Sequence, residues 1–184
     1  MTYWMRRVFW ILGLWVCLLL AGCQAPEKNV KGGAVDEGYT VIDARGTAVY
    51  LPRKPQRILT GNLTYDTIVA GLVPPDHLAA VNILDTDPQA SFFAEEAEKV
   101  PVKIYTFTSI PLETIIKTAP DLIIVPTWIA MDHVETYREL GYSVLVCQGP
   151  DSIEEAKAAI RLVAQALREE AAGEKVVAEM DRQL

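Results

Sequence analysis

The chain has 184 residues, 17 basic against 24 acidic side chains, a formal net charge of −7 and 51% hydrophobic residues. That length allows one domain with a real core rather than two ordinary ones. The negative balance, with no basic run, argues against nonspecific nucleic-acid binding, which needs phosphate-neutralising Lys and Arg patches.

In chain order, Arg6-Arg7 leads into the apolar run Val8 to Leu20, which stops at Leu20-Ala21-Gly22-Cys23. The run is shorter than the ~20 residues that span a bilayer core. Basic, then apolar, then small is the export pattern. With its cysteine it resembles a bacterial lipoprotein signal, which implies cleavage before Cys23 and lipidation of that residue. Residues 1–22 then form the signal and 23–37 a flexible tether, with Pro26, Gly32 and Gly33. The fold is expected outside the cytoplasmic membrane, lipid-anchored to its outer face; Gln24 leaves the outer membrane open in a double-membrane cell. Of the other cysteines, Cys17 lies in the signal and Cys147 stands alone, so no internal disulfide framework is expected.

Tyr39 to Asp43 and Thr47 to Leu51, around Asp43-Ala44-Arg45-Gly46, predict a β-hairpin. Short apolar runs then alternate with helical segments. Strands are expected at Arg57–Thr60, Leu78–Val81, Val102–Ile104, Leu122–Val125 and Ser143–Cys147. Helices are expected at Leu63–Ala70 (closed by Gly71), Ser91–Lys99, Leu112–Thr118 and Ile129–Glu139. The alternation predicts an α/β layer fold with a mainly parallel sheet. Ser152 with Glu155 makes a capping-box pattern opening a helix through Leu167. A second stretch from about Glu169 carries Val176, Val177, Met180 and Leu184, with no Gly, Asn or Pro to stop it.

Three segments carry a resemblance. They are Thr40 to Val49 with Leu51-Pro52 and Pro55 to Leu59; Pro111 to Ile115 with Ala119 to Ile124; and Leu140 to Val144 with Ser152 to Glu155. Over about residues 38 to 184 the chain resembles the iron-siderophore, haem and cobalamin class of ABC-transporter binding proteins. The resemblance implies a three-layer, Rossmann-like α/β lobe over residues 38–150, preceded by the hairpin and followed by a helical linker region over 151–184. In that class two lobes flank the ligand. Only the first is matched, so a truncated member lacking the second lobe is expected. The implied partners are an ABC transporter permease and an organic metal chelate or corrinoid, with membrane lipid held through Cys23. Two other readings stay open: a truncated, non-transporting remnant, and a surface protein-interaction module. The uncovered stripe from Val176 to Leu184 predicts fraying and self-association through the C-terminal helix.

Ligands of open α/β sheets bind beyond the carboxyl ends of the strands. That rule points to Asn62, Thr64 and Tyr65 after the first core strand, Asp85 after the second, and Trp128 after the strongest. Asn62 either donates to a ligand or caps its helix. Tyr65 either stacks on a ligand or packs on the sheet. Trp128 either meets a planar or hydrophobic ligand or covers the sheet edge. By resemblance, Asp66 falls near an acidic residue that docks onto the permease; its alternative is a plain solvated carboxylate. Phe92-Phe93 reads as helix core and Cys147 as a small hydrophobe. His77 and His133 have no metal-ligand spacing, and no catalytic motif occurs, so no enzyme, cofactor or direct metal site is expected.

Overall fold

The computed structural model describes residues 38–106 and 108–183. The signal-like segment, Cys23, the tether and Leu184 lie outside the described residues. Strands β1 (Tyr39–Ile42) and β2 (Ala48–Leu51) form the expected antiparallel hairpin. Asp43 Oδ1 ties its turn, accepting from Arg45 N at 2.9 Å and Thr47 N at 2.8 Å. The hairpin lies against a second sheet made of β3 (Ile58–Leu59), β4 (Leu78–Asn82), β5 (Lys103–Ile104), β6 (Leu122–Pro126) and β7 (Val144–Cys147). The order is β5-β4-β3-β6-β7 and every pairing is parallel. Ala44 N donates to Val146 O at 2.8 Å and Ser143 Oγ to Tyr50 O at 2.9 Å, so the hairpin covers the β7 edge. Covering an edge removes a template for unwanted strand pairing.

Helices sandwich this sheet. On one face lie α1 (Leu63–Leu72), α2 (Ala94–Lys99), α5 (Ile153–Leu167) and α6 (Glu170–Gln183), whose Val69, Ala97, Val163 and Leu167 share a cluster with Ile58 and Leu145. On the other, α3 (Leu112–Thr118) and α4 (Met131–Glu139) place Ile115 and Val134 against Leu59 and Val125. Both faces are covered, so β4, β6 and β7 are buried along their whole length, as continuous apolar runs require.

Three expectations change. Gly71 does not close α1, which runs to Leu72 and ends as the chain enters Pro74-Pro75. Proline restricts the residue before it to extended backbone, and Val73 is extended. The Phe92-Phe93 pair splits, because α2 starts only at Ala94: Phe93 joins the core while Phe92 is 101% exposed.

The third concerns the tail. Helix α5 begins at its Ser152 cap, whose Oγ accepts from Glu155 N at 3.2 Å. It ends at Arg168, in left-handed backbone with φ 52°. Arg168 N donates to Gln165 O and Glu169 N to Ala164 O. That bond pair is a Schellman motif, made with an arginine where glycine is usual. The Arg168 guanidinium lies 4.0 Å from the centre of the Tyr39 ring. The chain then turns back and α6 packs on α5. Val177 is 2% exposed, so the stripe expected to stand open is partly closed. Val176 and Met180 stay half-buried beside a groove of about 430 Å³ shared with Gly71 and Ala172.

Candidate functional site at the strand ends

Strand β3 sits between β4 and β6, so the crossovers leave it in opposite directions and its carboxyl end is the topological switch point. A shallow crease of about 10 Å³ lies there, lined by Thr60, Gly61, Asn62, Ser109, Pro126 and Ile129 among others. Tyr137 anchors its far wall: its OH donates to Ile110 O at 2.6 Å and accepts from Ile110 N at 3.2 Å. A larger hollow of about 460 Å³, lined by Pro74, Pro75, Val100 and Pro101, lies at the amino ends of β4 and β5. It is at the wrong end of the sheet for the switch-point rule.

Gly61 makes the turn from β3 into α1. Its φ is +60°, and a Cβ there would meet Ile104 Cδ1 at 2.8 Å. Left-handed backbone and a clash act together. Gly61→Ala is expected to lower stability by roughly 1–3 kcal/mol, read as a fall in the urea midpoint at unchanged slope. An unchanged midpoint would show that the turn tolerates a side chain.

Asn62 is half-buried and caps α1, its Oδ1 accepting from Thr64 N at 3.1 Å. Thr64 is exposed. Tyr65 and Asp85, expected to meet a ligand, and Asp66, expected to dock onto the permease, are instead interior. Tyr65 is 0% exposed and its OH donates to Cys147 O at 3.1 Å and Gln148 O at 2.9 Å. It packs under the sheet end and presents no face to a ligand. Burial, helped by nearby Cys147, raises its phenol pKa. Cys147 itself is pushed up to about 12 by burial, so it stays an inert thiol.

Asp66 and Asp85 are likewise 0% exposed. Asp66 Oδ1 accepts from Thr60 Oγ1, and its Oδ2 accepts from Asn82 N at 2.9 Å. Asn82 Nδ2 in turn donates to Gly61 O at 3.3 Å, linking the network to the crease. Burial first, and Asp85 second, raise the Asp66 pKa well above the usual carboxylate range. Burial also raises Asp85, against the opposing effect of Asp66, Ser91 and the Asn82 amide. With both groups ionised, neither Asp85 oxygen has a donor; a proton held on Asp66 supplies one. An enclosed carboxyl cannot meet a permease surface in this fold. Asp66 is therefore a rim-bracing residue, neither a docking group nor a solvated carboxylate. Asp85 faces its partner and not a ligand.

Trp128 keeps its expected place beyond β6 and is 57% exposed. Its ring lies on Gly149 after β7, where an added Cβ would sit 2.1 Å from Trp128 Cζ3. Sequence reasoning missed two exposed residues at this end of the sheet. Tyr105, beyond β5, is 73% exposed. Arg45, from the hairpin turn, donates through Nη2 to Thr127 O and, at 3.5 Å, to Ile129 O, the two carbonyls flanking Trp128. Tyr105 could have been found by the strand-end rule. Arg45 could not, because nothing local says where the hairpin docks. Among the described residues no group of three His, Cys, Asp or Glu side chains could hold a metal, and no helix is long and apolar enough to cross a membrane.

Residues 58–184 match the model of a family described as periplasmic binding protein. Solved structures share the fold. A heme binding protein, HmuT, gives a TM-score of 0.61 at 24% identity, covering 79% of this chain and 47% of that one. A periplasmic solute binding protein from Veillonella parvula DSM 2008 gives 0.68 at 18%, covering 79% and 46%. The siderophore binding protein BauB gives 0.60 at 21%, covering 80% and 52%. The chain thus spans about half the length of these structures. No curated protein matches it. By the family match, the chain belongs to the periplasmic binding proteins.

Proposed function

We propose that the chain is a substrate-binding lipoprotein lobe of an ABC importer for an iron-siderophore, haem or cobalamin-type ligand. In this reading Cys23 carries the lipid, the lobe works outside the cytoplasm, and a permease receives the ligand. The observation that carries it is the half-exposed Trp128 beside the switch-point crease. The family match, and similar folds named for heme and siderophore binding, support the ligand class. Asn62, Thr64 and Trp128 form the binding rim, and Tyr105 joins it. Self-association through α6 is confined to the half-buried Val176 and Met180.

A rim with one wall and a crease this shallow cannot bury most of a ligand, as good pockets do. Binding by the isolated chain is therefore expected to be weak. Equilibrium dialysis of the full chain in mild detergent against haemin, ferric enterobactin and cyanocobalamin tests it. Dissociation constants in the micromolar range or above are expected for at least one ligand. Trp128→Ala should weaken that binding about tenfold, one lost stacking contact of ~1–1.5 kcal/mol. Retention of none of the three, or binding indifferent to Trp128→Ala, would refute the reading.

A further inference from the structure

The loops beyond the strand ends contain one Lys or Arg among them. Segments 43–46, 60–62, 83–87, 105–110, 127–130 and 148–152 hold only Arg45. Arg45 is exposed and forms no ion pair among the described residues. The nearest carboxylate in its own turn, Asp43, is 4% exposed and already pairs with Arg138 at 2.9 Å. The exposed carboxylates of these loops are Asp87 and Asp151. The contacts of Arg45 run through one terminal nitrogen, Nη2, to the carbonyls on either side of Trp128. A guanidinium has five N–H donors in a fixed fork, so Nε and Nη1 keep theirs.

We propose that Arg45 and Trp128 form one recognition corner that selects an aromatic metal chelate bearing negative charge, a catecholate or a carboxylate-bearing macrocycle, over a neutral one. This rests on the ligand-binding reading given above. The indole supplies a flat apolar face held by the Gly149 backbone beneath it. The guanidinium, fixed to the same loop, supplies charge-assisted donors beside that face. With Nη2 on the two carbonyls, Nε and Nη1 offer separate charge-assisted N–H donors to carboxylate or catecholate oxygens. The neutral amide-rimmed surface of a corrinoid gains nothing from that charge.

The experiment uses the full chain in mild detergent, wild type beside Arg45→Gln and Arg45→Lys. The probes are haemin, haemin dimethyl ester (the same ring with its carboxylates masked), ferric enterobactin and cyanocobalamin. Arg45→Gln should weaken haemin and ferric enterobactin about tenfold or more, as expected for a lost charged hydrogen bond, and leave the ester and cyanocobalamin unchanged. Arg45→Lys should keep part of the affinity. Added salt should weaken only the anionic ligands on the wild type. If Arg45→Gln unfolds by circular dichroism, the lysine variant and the salt series decide alone. Equal losses for haemin and its ester would make Arg45 a brace for the Trp128 loop and overturn the charge role. Binding of cyanocobalamin alone would also overturn it; both outcomes leave the ligand-binding reading standing. Binding of none of the probes would overturn both.

Discussion

Asp66→Asn is expected to raise stability at neutral and alkaline pH and to flatten the dependence of stability on pH. Asp66 is enclosed, and burial reinforced by Asp85 raises its folded-state pKa. An unfolded aspartate releases its proton near pH ~3.9. Above that pH the folded chain holds a proton the unfolded chain has lost. Stability then falls as pH rises, because the unfolded state binds fewer protons. The contribution is fully present below the unfolded value and is lost as pH climbs to the folded one. Every tenfold difference in proton affinity between the two states is worth ~1.4 kcal/mol.

Asparagine keeps the shape and cannot ionise. Its carbonyl can accept from Thr60 or Asn82, and its amide can donate to Asp85, whose oxygens otherwise lack a donor. Urea midpoints of wild type and variant between acid and mildly alkaline pH test this. The variant's curve should lie above the wild type's at high pH and converge on it in acid. Parallel curves would mean that the pair is not where the proton is held. Asp66→Ala should behave oppositely, losing several kcal/mol, since it leaves Asp85 and the Asn82 amide unpaired in the interior.

The second large effect is at Val177. Had α6 projected free of the lobe, Val177→Lys would have been a harmless surface change. The side chain is instead 2% exposed in the α5–α6 seam. Losing a buried valine forfeits ~1.5–3 kcal/mol, and an unpaired charge in its place adds a desolvation penalty. Val177→Lys is expected to lose more than ~3 kcal/mol and to free α6 from α5. Met180→Lys, at a half-buried site, should lose under ~1 kcal/mol. Thermal unfolding with amide exchange over residues 170–183 separates them. Equal small effects would show that α6 is not docked in solution. Of the ion pairs along the same seam, Arg161 with Glu174 at 2.7 Å is exposed on both sides and contributes little, while the largely buried Lys157 holds the exposed Asp181 at 2.6 Å.

Local pattern determined most of the elements. Continuous apolar runs at Leu122–Pro126 and Val144–Cys147 are strands covered on both faces, and the Ser152–Glu155 cap opens α5 where it should. Alternating strands and helices were enough for a parallel layered sheet, because each crossover must return across the sheet face. Trp128 was legible as a rim residue for the same reason: strand direction and strand end are local properties.

Depth and reversal were not legible. Tyr65 and Asp66 follow a strand end as a ligand loop would, yet α1 turns both inward. There the Cys147 and Gln148 carbonyls, Asn82 and Asp85 wait from segments 16 to 83 residues away. The fold-back at Arg168 carries no stop residue. It stands where an aromatic face from β1, 129 positions earlier, meets the guanidinium, while Tyr39 OH donates to Ala166 O at 2.6 Å. Arg45 reaches the carbonyls flanking Trp128 because the hairpin docks along β7, so that Ala44 meets Val146. The sequence by itself thus determined the elements and the end of the sheet where binding belongs, since periodicity and turn chemistry act within a few residues. Only the tertiary structure decided which polar side chains face solvent and which brace the interior, because burial is a sum over contacts between segments distant in the chain.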